Sequence, residues 1–123
     1  MQIHSATILV SDQAKAVDWY TNMLGWSVSI DYEMAPGQRF ITVRPFAGAV
    51  ELSLGSLDWS EPDFGSIGGQ TGVSLMTDQI DRDFEELTAR GVRFKGPVES
   101  MPWGGRATWF YDLDDNEFFL VGE

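Results

Sequence analysis

Between Ile3 and Val10 the chain alternates, with Ala6, Ile8 and Val10 on one parity and Ser5, Thr7 and Leu9 on the other. That period of two predicts a strand with one apolar face. Asp12 then stands where a carboxylate can accept the free N–H groups of a helical first turn. Ala14, Val17, Tyr20 and Leu24 recur on one face of the helix that follows. Gly25 closes it, since glycine takes the left-handed conformation past a last turn. Three further strands are predicted, at 27–34, 39–45 and 49–54, with Ala35-Pro36-Gly37 as a turn.

The same order returns downstream. Leu9-Val10-Ser11-Asp12-Gln13 is echoed by Leu75-Met76-Thr77-Asp78-Gln79, and Leu24-Gly25-Trp26 by Arg90-Gly91-Val92. Both pairs are offset by 66 positions (12 to 78, 25 to 91), which points to one duplicated supersecondary unit. Its second copy reads as a strand at 72–77, a helix carrying Ile80, Phe84 and Leu87, and strands at 92–99, 105–112 and 117–121. Asp114-Asp115-Asn116 supplies the last turn. The expected fold class is α+β, a single domain over 1–123 with βαβββ units at 1–55 and 71–123. The joining segment 56–70 is rich in Gly, Ser, Asp and Pro, and its Trp59 and Phe64 suggest that it packs.

At 123 residues, 43% hydrophobic and 22% charged, the composition is that of a folded domain. Zero cysteines exclude disulfides, thiolate metal sites and a cysteine nucleophile. A net charge of −11 argues against nucleic-acid or anionic-membrane partners and is compatible with drawing in cationic small molecules. No apolar run approaches the roughly 20 residues that span a bilayer, and the first ten residues lack a basic leader region. The expected location is the cytoplasm.

The order Val10-Ser11-Asp12, Trp19-Tyr20, Leu24-Gly25, Ala49-Val50-Glu51-Leu52, Pro102-Trp103-Gly104-Gly105-Arg106 and Asp112-Leu113-Asp114-Asp115-Asn116-Glu117-Phe118 resembles the vicinal-oxygen-chelate superfamily. That superfamily includes glyoxalase I, extradiol dioxygenases, and fosfomycin- and bleomycin-resistance proteins. The last motif is similar to the family's Asp-Pro-Asp-Gly-Asn turn, with Leu113 and Asp115 in place of its proline and glycine. The resemblance implies two tandem βαβββ units forming cupped mixed sheets around a ligand site, and a homodimer.

It also implies where metal ligands stand in the enzymes: seven residues before Asp12, in the strand Ala49–Leu52, six before Asp78 and seven after Asp112. Those positions hold Ser5, Glu51, Gly72 and Phe119. One carboxylate cannot hold a catalytic metal, which takes about three protein ligands. His4, the one histidine, is a residue out of register, and such a shift turns a strand side chain to the other face. Asp112, Asp114 and Asp115 could offer oxygens to Ca²⁺ or Mg²⁺, but read first as a turn. The expectation is no metal, no cofactor and no catalytic residue.

Instead Ser5, Ser74, Glu51 and Phe119 are expected to line the cup, with Trp103 and Trp109 as aromatic walls and Arg106 as the foremost partner for Glu51, ahead of Arg39 and Arg44. Trp59 and Trp103, in loop segments, suit a ligand or an interface; Trp19 and Trp26 read as packing. An aromatic cup with a buried acid suits a cationic or aromatic organic molecule. The function expected is metal-independent small-molecule binding, resembling bleomycin resistance. The rivals are a lyase, isomerase or dioxygenase with a displaced metal site, and a dimer whose ligand is lost or is another protein.

Overall fold

The computed structural model describes residues 1–58 and 65–123, so Trp59 and Phe64 lie outside the described residues. The chain divides into two compact units, Met1–Ile67 and Gly68–Glu123. In the first, β1 (Ser5–Val10) is followed by α1 (Gln13–Asn22), β2 (Ser27–Ala35), β3 (Gln38–Arg44) and β4 (Glu51–Ser56). The strand order is β1-β4-β3-β2, with β1 parallel to β4 and the remaining pairs antiparallel. In the second unit β5 (Gly69–Met76) is followed by α2 (Ile80–Arg90), β6 (Arg93–Phe94), β7 (Glu99–Ser100), β8 (Arg106–Tyr111) and β9 (Asn116–Gly122). The order is β5-β9-β8-β6, β7 also pairing with β8. The α+β class and the twice-repeated βαβββ order expected from the sequence are therefore present. The single strand expected at 92–99 is two short pieces. Gly96-Pro97 separates them, proline having no N–H for the ladder.

In each unit one sheet face packs on the helix. Ile8, Val10, Ile41, Val43, Leu52 and Leu54 are buried with Ala16 and Tyr20 of α1. Ala14 is exposed; Ala16 takes the inward place, and Gln13 donates to the carbonyls of Arg39 and Leu54, each at 2.8 Å. Asp12 caps α1, accepting from the Lys15 N–H at 3.0 Å. The expected parallel at Asp78 does not hold. Gln79 is the cap of α2 and its side chain makes no capping bond. Thr77 does the local work, accepting from the Gln79 N–H at 3.1 Å and donating to Asp83. Gly91, at φ 102°, closes α2 as expected.

The second core is aromatic. Phe84 meets Phe94 at 4.6 Å, Phe94 meets Phe110 at 5.7 Å, and Phe110 stacks on Phe118 at 5.4 Å between centroids. Its last turn is built on Asp112, 1% exposed, whose carboxylate accepts from the N–H groups of Asp114 and Asn116 and from the Asn116 side chain. That is the turn reading of the acidic run.

The start of α2 rests against the end of β9 because residue 122 is glycine. A Cβ there would stand 2.9 Å from the Ile80 Cβ and 3.1 Å from the Thr77 carbonyl oxygen. Gly122→Ala is expected to destabilise the protein by about 1–3 kcal/mol through overpacking. Ile80→Ala is not expected to relieve it, since alanine keeps the Cβ and the Thr77 carbonyl is backbone. Urea unfolding of Gly122→Ala, alone and with Ile80→Ala, checks this, and a Gly122→Ala variant as stable as the parent would contradict it.

Candidate functional site

Strand alternation leaves each sheet a second face, turned away from its helix, and the two units fill that face differently. In the first unit Ser5 pairs with Glu51 and Thr7 with Ser53 across β1 and β4, while Thr42 pairs with Ser53 across β3 and β4. Glu51, Ser53 and Thr42 are 6%, 1% and 0% exposed. The Glu51 carboxylate accepts from Ser29 Oγ at 2.6 Å and Thr42 Oγ1 at 2.7 Å. Arg44 Nη1 lies 3.5 Å away and His4 Nε2 4.0 Å away. Ser53 Oγ and Arg44 Nε are buried and meet no hydrogen-bond partner among the described residues.

Two expectations about Glu51 are corrected by these contacts. The Arg106 guanidinium is engaged within its own unit, in a bidentate pair with Asp81 of α2 at 2.6 and 2.8 Å. Arg106 shares the parity of Thr108 and Phe110, and so turns toward the helix. Arg44 is the arginine beside Glu51 because it stands two residues from Thr42 on the same face. His4 also approaches Glu51 although it is out of register, because it precedes β1 and strand alternation does not bind it. Among the described residues, no three His, Cys, Asp or Glu side chains cluster as a metal would need.

In the second unit the open face is aromatic. Trp109 pairs with Phe119, and Tyr111 with Glu117, across antiparallel β8 and β9. Ser74 pairs with Phe119 across parallel β5 and β9. The Trp109 and Phe119 rings stand 4.9 Å apart, and Trp103 meets Phe119 edge-on at 6.3 Å. Trp103 is 63% exposed, and a Cβ on Gly105 would come within 2.7 Å of its indole nitrogen. Gly105 thus leaves the indole its resting place. Gly72, at φ 75°, sits where two extra residues of β5 bulge between Gln70 and Ser74.

A hollow of about 210 Å³ opens on this face, lined by Gln70, Gly72, Ser74, Trp109, Glu117 and Phe119 among others. A second, of about 480 Å³, lies between Met76, Trp103, Gly105 and Val121. Of the expected site residues, Ser74, Trp109 and Phe119 come together in the first hollow. Trp103 borders the second and touches Phe119. Ser5 and Glu51 belong to the polar face of the first unit, and Arg106 to the helix side of the second. Sequence reasoning missed Gln70, Glu117, Ser29 and Thr42. The parity of Phe119 places Glu117 on the open face, and that of Arg44 places Thr42 beside Glu51. Gln70 and Ser29 lie at bulges, which alternation cannot follow.

The sequence model of the Glyoxalase/Bleomycin resistance protein/Dioxygenase superfamily matches residues 2–120. A crystal structure of a member of that superfamily from Sphaerobacter thermophilus DSM 20745 is 50% identical, with a TM-score of 0.93, covering 100% of this chain and 98% of its own. The crystal structure of TnmS3, an antibiotic binding protein from Streptomyces sp. CB03234, is 34% identical with a TM-score of 0.80, over 99% of this chain and 95% of its own. An uncharacterized protein of Shewanella frigidimarina (strain NCIMB 400) is 31% identical over 125 residues, 97% of this chain and 90% of the relative.

The Ser29 hydrogen bond, then that of Thr42, holds the Glu51 carboxyl below its ordinary value; burial opposes them, and His4 and Arg44 add to them. A lowered carboxyl pKa means that the unfolded chain takes up the proton first. The stabilisation is then complete above the ordinary carboxyl range and is lost as pH falls through the lowered value. Urea unfolding between about pH 7 and pH 3 should show less acid-dependent loss in Glu51→Gln than in the parent, and lower stability of Glu51→Gln at neutral pH. Superimposable pH profiles would contradict it.

Proposed function

The chain belongs to the Glyoxalase/Bleomycin resistance protein/Dioxygenase superfamily, and from that premise we propose that it is a metal-independent binding protein for a small aromatic molecule, acting by sequestration. The observation that carries this reading is the row Trp103–Phe119–Trp109 on the open face of the second unit, beside the hollow lined by Ser74 and Gln70. Large exposed and half-buried rings are costly to present to water, and planar ligands repay that exposure by stacking. The antibiotic-binding activity of TnmS3, 34% identical over nearly the whole chain, supports it.

Metal independence is supported by the side chains at the family's ligand positions, Ser5, Glu51, Gly72 and Phe119. Nor does Glu51 call for a cationic ligand, since Ser29, Thr42 and Arg44 already meet its carboxylate. The first unit's polar face therefore serves this function as a structural support. We place the protein in the cytoplasm as a homodimer. The exposed Val28, Tyr32 and Met34 on β2, which among the described residues is paired on one side only, support an association surface.

Tryptophan fluorescence and thermal shift over a panel of planar aromatic compounds test the reading. Chelator-treated protein is expected to bind as untreated protein does. Trp109→Ala should weaken binding about tenfold or more, as loss of a buried aromatic contact does, while Trp19→Phe leaves it unchanged. Binding that vanishes with chelation, or that ignores Trp109→Ala, would overturn it.

A further inference from the structure

The aromatic-face reading leaves the polar end of the ligand unspecified, and the edge of the same sheet specifies it. β6 ends at Phe94, but Lys95 is still tied to the sheet, its N–H donating to the Trp109 carbonyl at 2.8 Å. Alternation sends Phe94 to the helix side, against Phe84 and Phe110. Arg93 and Lys95 turn to the open face. There the Arg93 guanidinium lies 5.4 Å from the Tyr111 ring centre, and the Lys95 ammonium 5.9 Å from that of Trp109. Lys95 Nζ stands 3.3 Å from Glu117 Oε1, and Arg93 pairs with Asp115 and donates to the Asp112 carbonyl.

The two members of the Lys95–Glu117 pair are not presented equally. The Glu117 side chain is 7% exposed and that of Lys95 55%. The group offered to an incoming molecule is the ammonium, which carries three donors. Two of the chain's 8 basic side chains thus stand together on one face of a protein with 19 acidic ones. They border a depression of about 600 Å³ that includes Gln70 and Glu117. Both residues also line the hollow beside Trp109 and Phe119, so the two spaces adjoin along one trough.

We propose that the ligand of this face is a planar aromatic compound bearing an acidic oxygen substituent, such as a carboxylate. Its ring lies against Trp109 and Phe119, and its oxyanion accepts from Lys95, with Arg93, held by Asp115, beside it. The proposal rests on the reading of the aromatic face as the binding site. The net charge of −11 opposes an anion at a distance, but that field is screened beyond about 8 Å at physiological ionic strength. At contact the charge-assisted hydrogen bond decides. Glu117 competes with the ligand for Lys95 and so sets the strength of the preference.

Titration of the full chain with 2-naphthoate, 2-naphthamide and 2-naphthylmethylamine tests this. The naphthoate is expected to bind about tenfold more tightly than the amide, the size of one charge-assisted hydrogen bond at a half-exposed group. Lys95→Met should erase that preference while leaving amide affinity within about twofold. Because Lys95→Met strands a buried carboxylate, the double variant Lys95→Met/Glu117→Gln serves as the folded control, with the same loss expected. Amide or amine binding as tight as naphthoate binding, or a preference that survives both variants, overturns the proposal. In that case an undiminished effect of Trp109→Ala on all three probes leaves the site itself standing. Binding that Trp109→Ala does not alter, or no binding by any probe, overturns the site and the proposal together.

Discussion

The pairing of Trp109 with Phe119 across β8 and β9 is the contact on which the second unit's architecture turns. Antiparallel partners share a face, and their immediate neighbours share the other. Holding Trp109 opposite Phe119 therefore also holds Phe110 opposite Phe118, stacked in the core, and Tyr111 opposite Glu117 on the open side. A slip of β8 by one residue would bury Trp109 against α2 and turn Phe110 to water. The helix-side aromatics thus fix the register energetically, and the open-side residues inherit their position from it.

The same topology serves a different purpose in the first unit. There the face away from α1 is a hydrogen-bonded set around Glu51. Four groups converge on one carboxylate: Ser29, Thr42, Arg44 and His4. Their convergence favours the ionised form of a carboxylate that is 6% exposed.

Much of this was legible in the chain, because alternation and helical periodicity are local. The duplicated βαβββ order, the Asp12 cap and the Gly91 closure follow from short-range pattern. So does the shared parity of Trp109 and Tyr111. What was not legible depends on partners far apart in sequence. Arg106 looked available to Glu51, and only the fold shows Asp81 facing it across 25 residues. Bulges defeated counting: Ser29 lies inside the irregularity between Val28 and Ile30, and Gln70 at the edge of the one that Gly72 permits. Lys95 escaped notice because Gly96-Pro97 breaks its strand, concealing the alternation that gives it a face.

The central claim is that ligand meets the aromatic face of the second unit and leaves the helix-packed tryptophans alone. The indole N–H resonances of Trp19, Trp26, Trp103 and Trp109, assigned by single substitutions and followed in ¹H–¹⁵N spectra during titration with 2-naphthoate, read it residue by residue. Trp103 and Trp109 are expected to shift together along one saturating curve, with Trp19 and Trp26 unmoved. Shifts confined to Trp19 and Trp26, or spread evenly over all four, would contradict the claim.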